Sequence, residues 1–132
     1  SGFEQIEIET RFGSDVPQIQ IDRDQMQQVF VNLLNNAAEA IEGDGKITIS
    51  TQVENDQWVV IKLADTGCGI PKEDMGKLFT PFFSKKASGK GTGLGLSIVY
   101  GIVKIHRGQI QIQSTIGEGT TVIVSLPIQR TS

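Results

Sequence analysis

Residues 22–45 read DRDQMQQVFVNLLNNAAEAIEGDG, and the period of their apolar positions sets the layout of the chain. Met26, Val29, Phe30, Leu33, Leu34, Ala37 and Ile41 recur at helical spacing, with Asp22 or Asp24 placed to cap the start. Gly43 and Gly45 are expected to end this helix after about five turns. Working outward, residues 5–12 (QIEIETRF) alternate apolar and polar, as a half-exposed strand does. Gly13, Ser14, Asp15 and Pro17 break that strand, and Ile19-Gln20-Ile21 reads as a short second extended piece. On the other side, Lys46–Val53 and Trp58–Ala64 flank the turn-like Glu54-Asn55-Asp56 and predict a hairpin. A short helix is expected from Lys72 to Phe79. A second amphipathic helix follows over Leu94–His106, with Leu94, Ile98, Val99, Ile102 and Ile105 on one face. The runs Gln109–Ser114 and Thr120–Leu126 predict a second hairpin. The fold class is therefore α+β: one mixed, mostly antiparallel sheet with helices packed on a single face.

The whole chain, residues 1–132, reads as one domain with no repeat and no boundary. Its 12 basic and 15 acidic residues give a formal net charge of −3, which argues against a general nucleic-acid binder. One cysteine, Cys68, excludes an internal disulfide framework and suits a reducing compartment. That cysteine and the single histidine, His106, cannot build a typical zinc site. No apolar run approaches a membrane span, and no signal peptide opens the chain. An anionic ligand would have to be met by a local site.

Three stretches carry candidate chemistry. On the long helix, Asn32 and Asn36 stand one turn apart and Glu39 three residues further, on neighbouring positions. Oxygen ligands of this kind suit Mg²⁺, which takes one or two protein groups and leaves the rest to water and phosphate; the same residues read equally as a solvated face. The second stretch is Asp65-Thr66-Gly67-Cys68-Gly69-Ile70-Pro71, at the end of a strand. Its glycines permit positive φ and close ligand approach, and a terminal Asp can accept from an exocyclic amine such as that of adenine. An ordinary turn has the same composition.

The third stretch is Gly89-Lys90-Gly91-Thr92-Gly93-Leu94-Gly95, running into a helix. Alternate glycines let backbone N–H groups converge, the helix start adds a positive dipole end, and Lys85, Lys86 and Lys90 lie nearby. Other phosphate motifs fail here. Gly89-Lys90 is followed by Gly91, where a Walker loop needs Ser or Thr. A Rossmann loop needs a strand immediately before the glycines, and no G-x-S-x-G elbow is present.

In this order, the three stretches resemble the ATP-binding catalytic domain of sensor histidine kinases, within the superfamily of gyrase, the Hsp90 chaperones and MutL. Gln28–Ala37 (QVFVNLLNNA) looks like the family's N box, with Asn36 at the Mg²⁺-ligand position. Asp65–Ile70 matches the first glycine box, with Asp65 at the adenine position. Leu78-Phe79-Thr80-Pro81-Phe82-Phe83 is similar to the F box, and Gly91-Thr92-Gly93-Leu94-Gly95-Leu96 to the second glycine box. Lys104-Ile105-His106-Arg107-Gly108 resembles the usual His-Gly-Gly ending, with Arg107 in place of a glycine. In Gly117-Glu118-Gly119-Thr120-Thr121, the resemblance assigns an adenine-binding threonine, placed on Thr121. Lys86 falls where nitrogen-regulation-type members carry a phosphate-contacting lysine.

The resemblance implies a two-layer α/β sandwich, ATP and Mg²⁺ as cofactors, and an ATP lid over residues 80–93, with Phe82 and Phe83 as anchors. The implied nucleotide contacts are Asn36, Asp65, Gly67, Gly69, Ile70, Phe79, Lys85, Lys86, Gly91, Thr92, Gly93, Leu94, Gly95, Leu96 and Thr121. Asn32, Asn36 and Lys86 are the implied catalytic group, and Phe79 reads equally as a core aromatic. Relatives that hydrolyse ATP carry Glu where this chain has Asn32, which cannot act as a general base near neutral pH, so little hydrolysis is expected.

The implied partners are ATP, a histidine-bearing helical dimerisation domain and, downstream, a response regulator; nucleic acid and direct membrane contact are not expected. His106 lacks the family's phosphoacceptor motif, so the chain reads as a monomeric, cytoplasmic catalytic domain that cannot phosphorylate itself. The opening Ser-Gly without Met reads as the scar of an excised domain. The alternatives are a serine kinase of the anti-sigma-factor type and a non-catalytic, nucleotide-gated interaction module.

Overall fold

The computed structural model describes residues 5–80 and 95–128. Strand β1 (Ile6–Phe12) leads to helix α1 (Arg23–Ala40), then β2 (Gly45–Glu54) and β3 (Trp58–Asp65). A 3-10 helix over Lys72–Lys77, helix α2 (Gly95–Ile105) and strands β4 (Gln109–Thr115) and β5 (Gly119–Pro127) complete it. The five strands lie in the order β1-β2-β3-β5-β4. β1 runs parallel to β2 and every other neighbouring pair is antiparallel. The mixed, mostly antiparallel sheet is thus as expected.

The core lies between the sheet and the helices. Val59, Ile61 and Leu63 of β3 and Val122, Val124 and Leu126 of β5 meet Met26, Val29, Leu33 and Ala37 of α1 and Val99, Ile102 and Val103 of α2. β5 alternates buried and part-exposed residues along its length, so its even-numbered side chains face the helices. Burial of these side chains removes about 1.5–3 kcal/mol of unfavourable hydration each, which supplies most of the drive for the helices to dock.

The helix start is as the sequence implies: Asp22 Oδ1 accepts from Gln25 N at 3.0 Å. Its end is earlier than expected. Ile41 turns to φ −87° and ψ 123°, buries its side chain, and leaves Gly43 in a turn at φ +77°. Gly45 belongs to β2 instead, paired with Ile6, and a Cβ there would sit 2.5 Å from Ile41 Cγ2 and 2.9 Å from Thr66 Oγ1.

Asn55 and Asp56 adopt φ of 54° and 53° in the β2–β3 turn, the paired positive angles that match strand twist in tight hairpins. Two other expectations fail. Ile19–Ile21 forms no strand, because no ladder partner reaches it; Ile19 packs on the core while Ile21 is exposed. Ile105 is 68 % exposed and Val103 is buried in its place, since the α2 stripe runs through Val99, Ile102 and Val103.

Candidate nucleotide site

One rim of the sandwich gathers the C-terminal half of α1, the loop after β3, the start of α2 and the β4–β5 turn. Asp65 is the last residue of β3, on the same face as Leu63 and so turned toward the helices. Burial raises its carboxyl above the ordinary aspartate value, opposed by hydrogen bonds from the backbone of Gly67 and Thr120. The Gly67 bond is 2.7 Å. The result is a half-buried acceptor held in place by main chain.

The following loop is pinned on both sides. Cys68 N donates to Ala40 O at 3.0 Å, satisfying a carbonyl at the end of α1, and Gly117 N donates to Cys68 O at 2.9 Å. A Cβ on Gly67 would lie 2.7 Å from that of Ala40. At φ +81°, Gly69 lies against Thr115 O so closely that any side chain would collide. At both glycines the missing side chain makes room for neighbouring protein, Ala40 at Gly67 and the Thr115 backbone at Gly69. Ile70 N donates to Ser114 Oγ at 2.8 Å, tying the loop to β4.

On α1, Asn32 is half-buried and its Nδ2 is buried with no hydrogen-bond partner among the described residues. One turn on, Asn36 faces the start of α2: a Cβ on Gly95 would stand 3.7 Å from Asn36 Nδ2 and 3.8 Å from Oδ1. The N-box asparagine and the last part of the second glycine box are therefore adjacent, 59 residues apart in sequence. Glu39, read as the third member of this polar face, is exposed, and Leu96 packs at the edge of the core. Phe79 stacks on Tyr100 of α2, with centroids 5.0 Å apart and planes at 34°, and Lys104 Nζ lies 5.5 Å from the Tyr100 ring centre. Lys85, Lys86, Gly91, Thr92, Gly93 and Leu94, Phe82 and Phe83, and nearly all of the 80–93 lid lie outside the described residues.

Of the two threonines in the β4–β5 hairpin, Thr120 rather than Thr121 lies beside Asp65. Thr120 pairs with Asp65 across the ladder, is 9 % exposed, and shares the helix-facing side with Val122 and Val124. Thr121 pairs with Ala64 and so points to the opposite face of the sheet, away from Asp65. The alternation Thr120, Val122, Val124, Leu126 carried this signal in the sequence. Ser114, whose Oγ is 2.8 Å from Thr120 Oγ1, was missed because nothing in a strand-edge serine marks it out before the hairpin register is known.

Residues 21–130 match the family described as histidine kinase-, DNA gyrase B-, and HSP90-like ATPase. The chain is 42 % identical over 127 residues to the sensor histidine kinase ZraS of Escherichia coli (strain K12), covering 95 % of this chain and 27 % of that protein. It is 40 % identical over 136 residues to the sensor kinase CckA of Brucella abortus (strain 2308), covering 92 % of this chain and 14 % of that one. The chain thus spans about a quarter or less of these two relatives. Among solved structures, the nucleotide-free catalytic domain of histidine kinase ThkA superposes with a TM-score of 0.80 at 33 % identity, covering 92 % of this chain and 80 % of that chain. The mycobacterial sensor histidine kinase MprB gives 0.81 at 27 % identity, covering 92 % and 81 %. The chain belongs to the histidine kinase-, DNA gyrase B- and HSP90-like ATPases, as a catalytic domain of the sensor histidine kinase type.

Proposed function

We propose that this domain binds ATP with Mg²⁺ and presents the γ-phosphate to a histidine on a separate helical dimerisation domain of a larger sensor kinase, which in turn serves a response regulator. The observation that carries this reading is the placement of Asp65 opposite Thr120 across the β3–β5 ladder on the helix-facing rim, two acceptor-bearing side chains where a 6-amino purine would dock. Thr120 takes the adenine role in place of Thr121. The residues fit the rest of the ligand. The orphaned Asn32 Nδ2 is a donor awaiting an acceptor, and Asn36 beside Gly95 puts a metal-ligating oxygen next to a helix start suited to phosphate.

Bound Mg²⁺ would neutralise phosphate charge, with Asn36 as its protein ligand; among the described residues no cluster of three or more His, Cys, Asp or Glu offers another site. Lys85, Lys86 and the Gly91–Leu96 backbone would complete the phosphate contacts. Phosphoryl transfer asks for position and charge neutralisation more than for covalent help from the protein, and Asn32 supplies no base for hydrolysis. The acceptor histidine lies elsewhere: His106 sits with both ring nitrogens engaged, by Ile102 O and by Asp22 N. Among the described residues no helix is long and apolar enough to cross a membrane; the domain acts as a cytoplasmic monomer.

The test is calorimetric titration of ATP and GTP with Mg²⁺, repeated with Asp65→Asn. One-to-one ATP binding that GTP does not match and the variant loses is the expected result. A separately produced helical domain carrying the acceptor histidine should then become labelled from ATP. No binding at all would sink the proposal. Binding without transfer to a histidine would favour a nucleotide-gated interaction module, and transfer to serine of a separate protein would favour the serine-kinase alternative.

A further inference from the structure

Ser114 Oγ stands at a junction of three polar groups. It accepts from Ile70 N at 2.8 Å, lies 3.1 Å from Gly119 O and lies 2.8 Å from Thr120 Oγ1. A serine hydroxyl has one proton to give and two lone pairs to offer. Gly119 O can only accept, so it takes the Ser114 proton. Thr120 must then donate its own proton to Ser114 Oγ. This is the one assignment that satisfies all three contacts. It leaves Thr120 Oγ1 with lone pairs, and no proton, for anything bound beside it.

We infer that Ser114 is a positioning residue for base selection, fixing the Thr120 hydroxyl as an acceptor toward the site and holding the backbone of the 65–70 loop through Ile70. The inference rests on the adenine reading of Asp65 and goes beyond it. Asp65 is an acceptor when ionised, and Thr120, its partner across the ladder, is made one by Ser114. Two neighbouring acceptors favour a base that points an amino group at them, directly or through one water, over a base that points a carbonyl. A freely rotating Thr120 hydroxyl would turn its proton to meet either. Ser114 therefore adds discrimination without touching the nucleotide.

The experiment compares dissociation constants for ATP and GTP, both with Mg²⁺, in the wild-type domain, Ser114→Ala and Ser114→Thr. Freeing the Thr120 hydroxyl lets it donate to a carbonyl as well as accept from an amino group, so Ser114→Ala should strengthen GTP binding relative to ATP by about tenfold and narrow the preference for ATP. Ser114→Thr keeps the hydroxyl and should keep the preference. If the alanine variant does not fold, the isosteric pair Ser114→Thr and Ser114→Val carries the same comparison. An unchanged ATP-to-GTP ratio in the hydroxyl-less variant, or an equal loss for both nucleotides, overturns the inference while leaving the adenine reading intact. A wild-type domain that binds neither nucleotide overturns both.

Discussion

His106 Nε2 accepts a hydrogen bond from the backbone N–H of Asp22 at 3.0 Å, joining the end of α2 to the residue that caps α1. The other ring nitrogen, Nδ1, lies 2.9 Å from Ile102 O, a group that only accepts, so Nδ1 carries the proton and Nε2 is free to receive. The only histidine in the chain is thus an inter-helix tie. His106→Leu leaves the exposed Asp22 N–H to solvent and should lower unfolding free energy by about 0.5–1 kcal/mol in urea titrations. His106→Gln offers a carbonyl oxygen at similar reach and should recover most of the loss. Equal stability of wild type and the leucine variant would remove the tie as a source of stability.

Arg107 follows at φ +60° and closes α2 in the place where a left-handed glycine usually stands. Arg107 N donates to Lys104 O at 3.0 Å and Gly108 N to Val103 O at 2.9 Å, the bond pair of a left-handed helix stop. A β-carbon in this conformation costs about 1–2 kcal/mol, partly offset by the greater freedom of glycine in the unfolded chain. Arg107→Gly should therefore stabilise the domain by about 0.5–1 kcal/mol, read as a higher denaturant midpoint at unchanged slope.

Asp65 links acidity to both stability and binding. Its folded carboxyl titrates above the ordinary aspartate value of 3.8, so between the unfolded and folded values the native state holds the extra proton. The stability that this provides is present below the unfolded value and disappears as pH rises through the folded one. Asp65→Asn removes the buried charge and keeps an oxygen for the Gly67 and Thr120 backbone. It should be at least as stable as wild type at pH 7, with any gain vanishing on acidification below 3.8. Wild-type ATP affinity should fall on the acid side as Asp65 takes up its proton. A variant that unfolds at neutral pH would contradict the burial penalty.

Asn36→Ala separates the metal from the nucleotide. If Asn36 ligates Mg²⁺, the variant should bind ATP at least tenfold more weakly with Mg²⁺ present, yet match wild type in chelator. A similar loss in both conditions would make Asn36 a direct phosphate or packing residue.

Much of this was legible in the chain because its signals are local and periodic. The Asp22 cap, the α1 stripe and both hairpins follow from spacing over a few residues. What sequence could not supply was register. Thr120 and Thr121 differ by one residue and so face opposite sides of the sheet, and only the Asp65–Thr120 pairing shows which of them lies beside Asp65. The glycines of the 65–70 loop depend on distant contacts in a similar way. Gly69 meets Thr115, 46 positions later, so its need for an absent side chain is set by a contact that no local pattern encodes. Ile105 lies past the end of the apolar face of α2, where Val103 takes the buried position.

Asp65 ends β3, which has a hydrogen-bonded strand on either side, whereas among the described residues β1 borders only β2 and leaves Ile8 and Phe12 exposed. Opening from the edges inward therefore releases β1 long before β3 parts from β5. Amides flanking Asp65 should exchange with solvent only through global unfolding, while those of β1 exchange through local fraying. Deleting the first strand would then lower the melting temperature and leave the choice of base untouched.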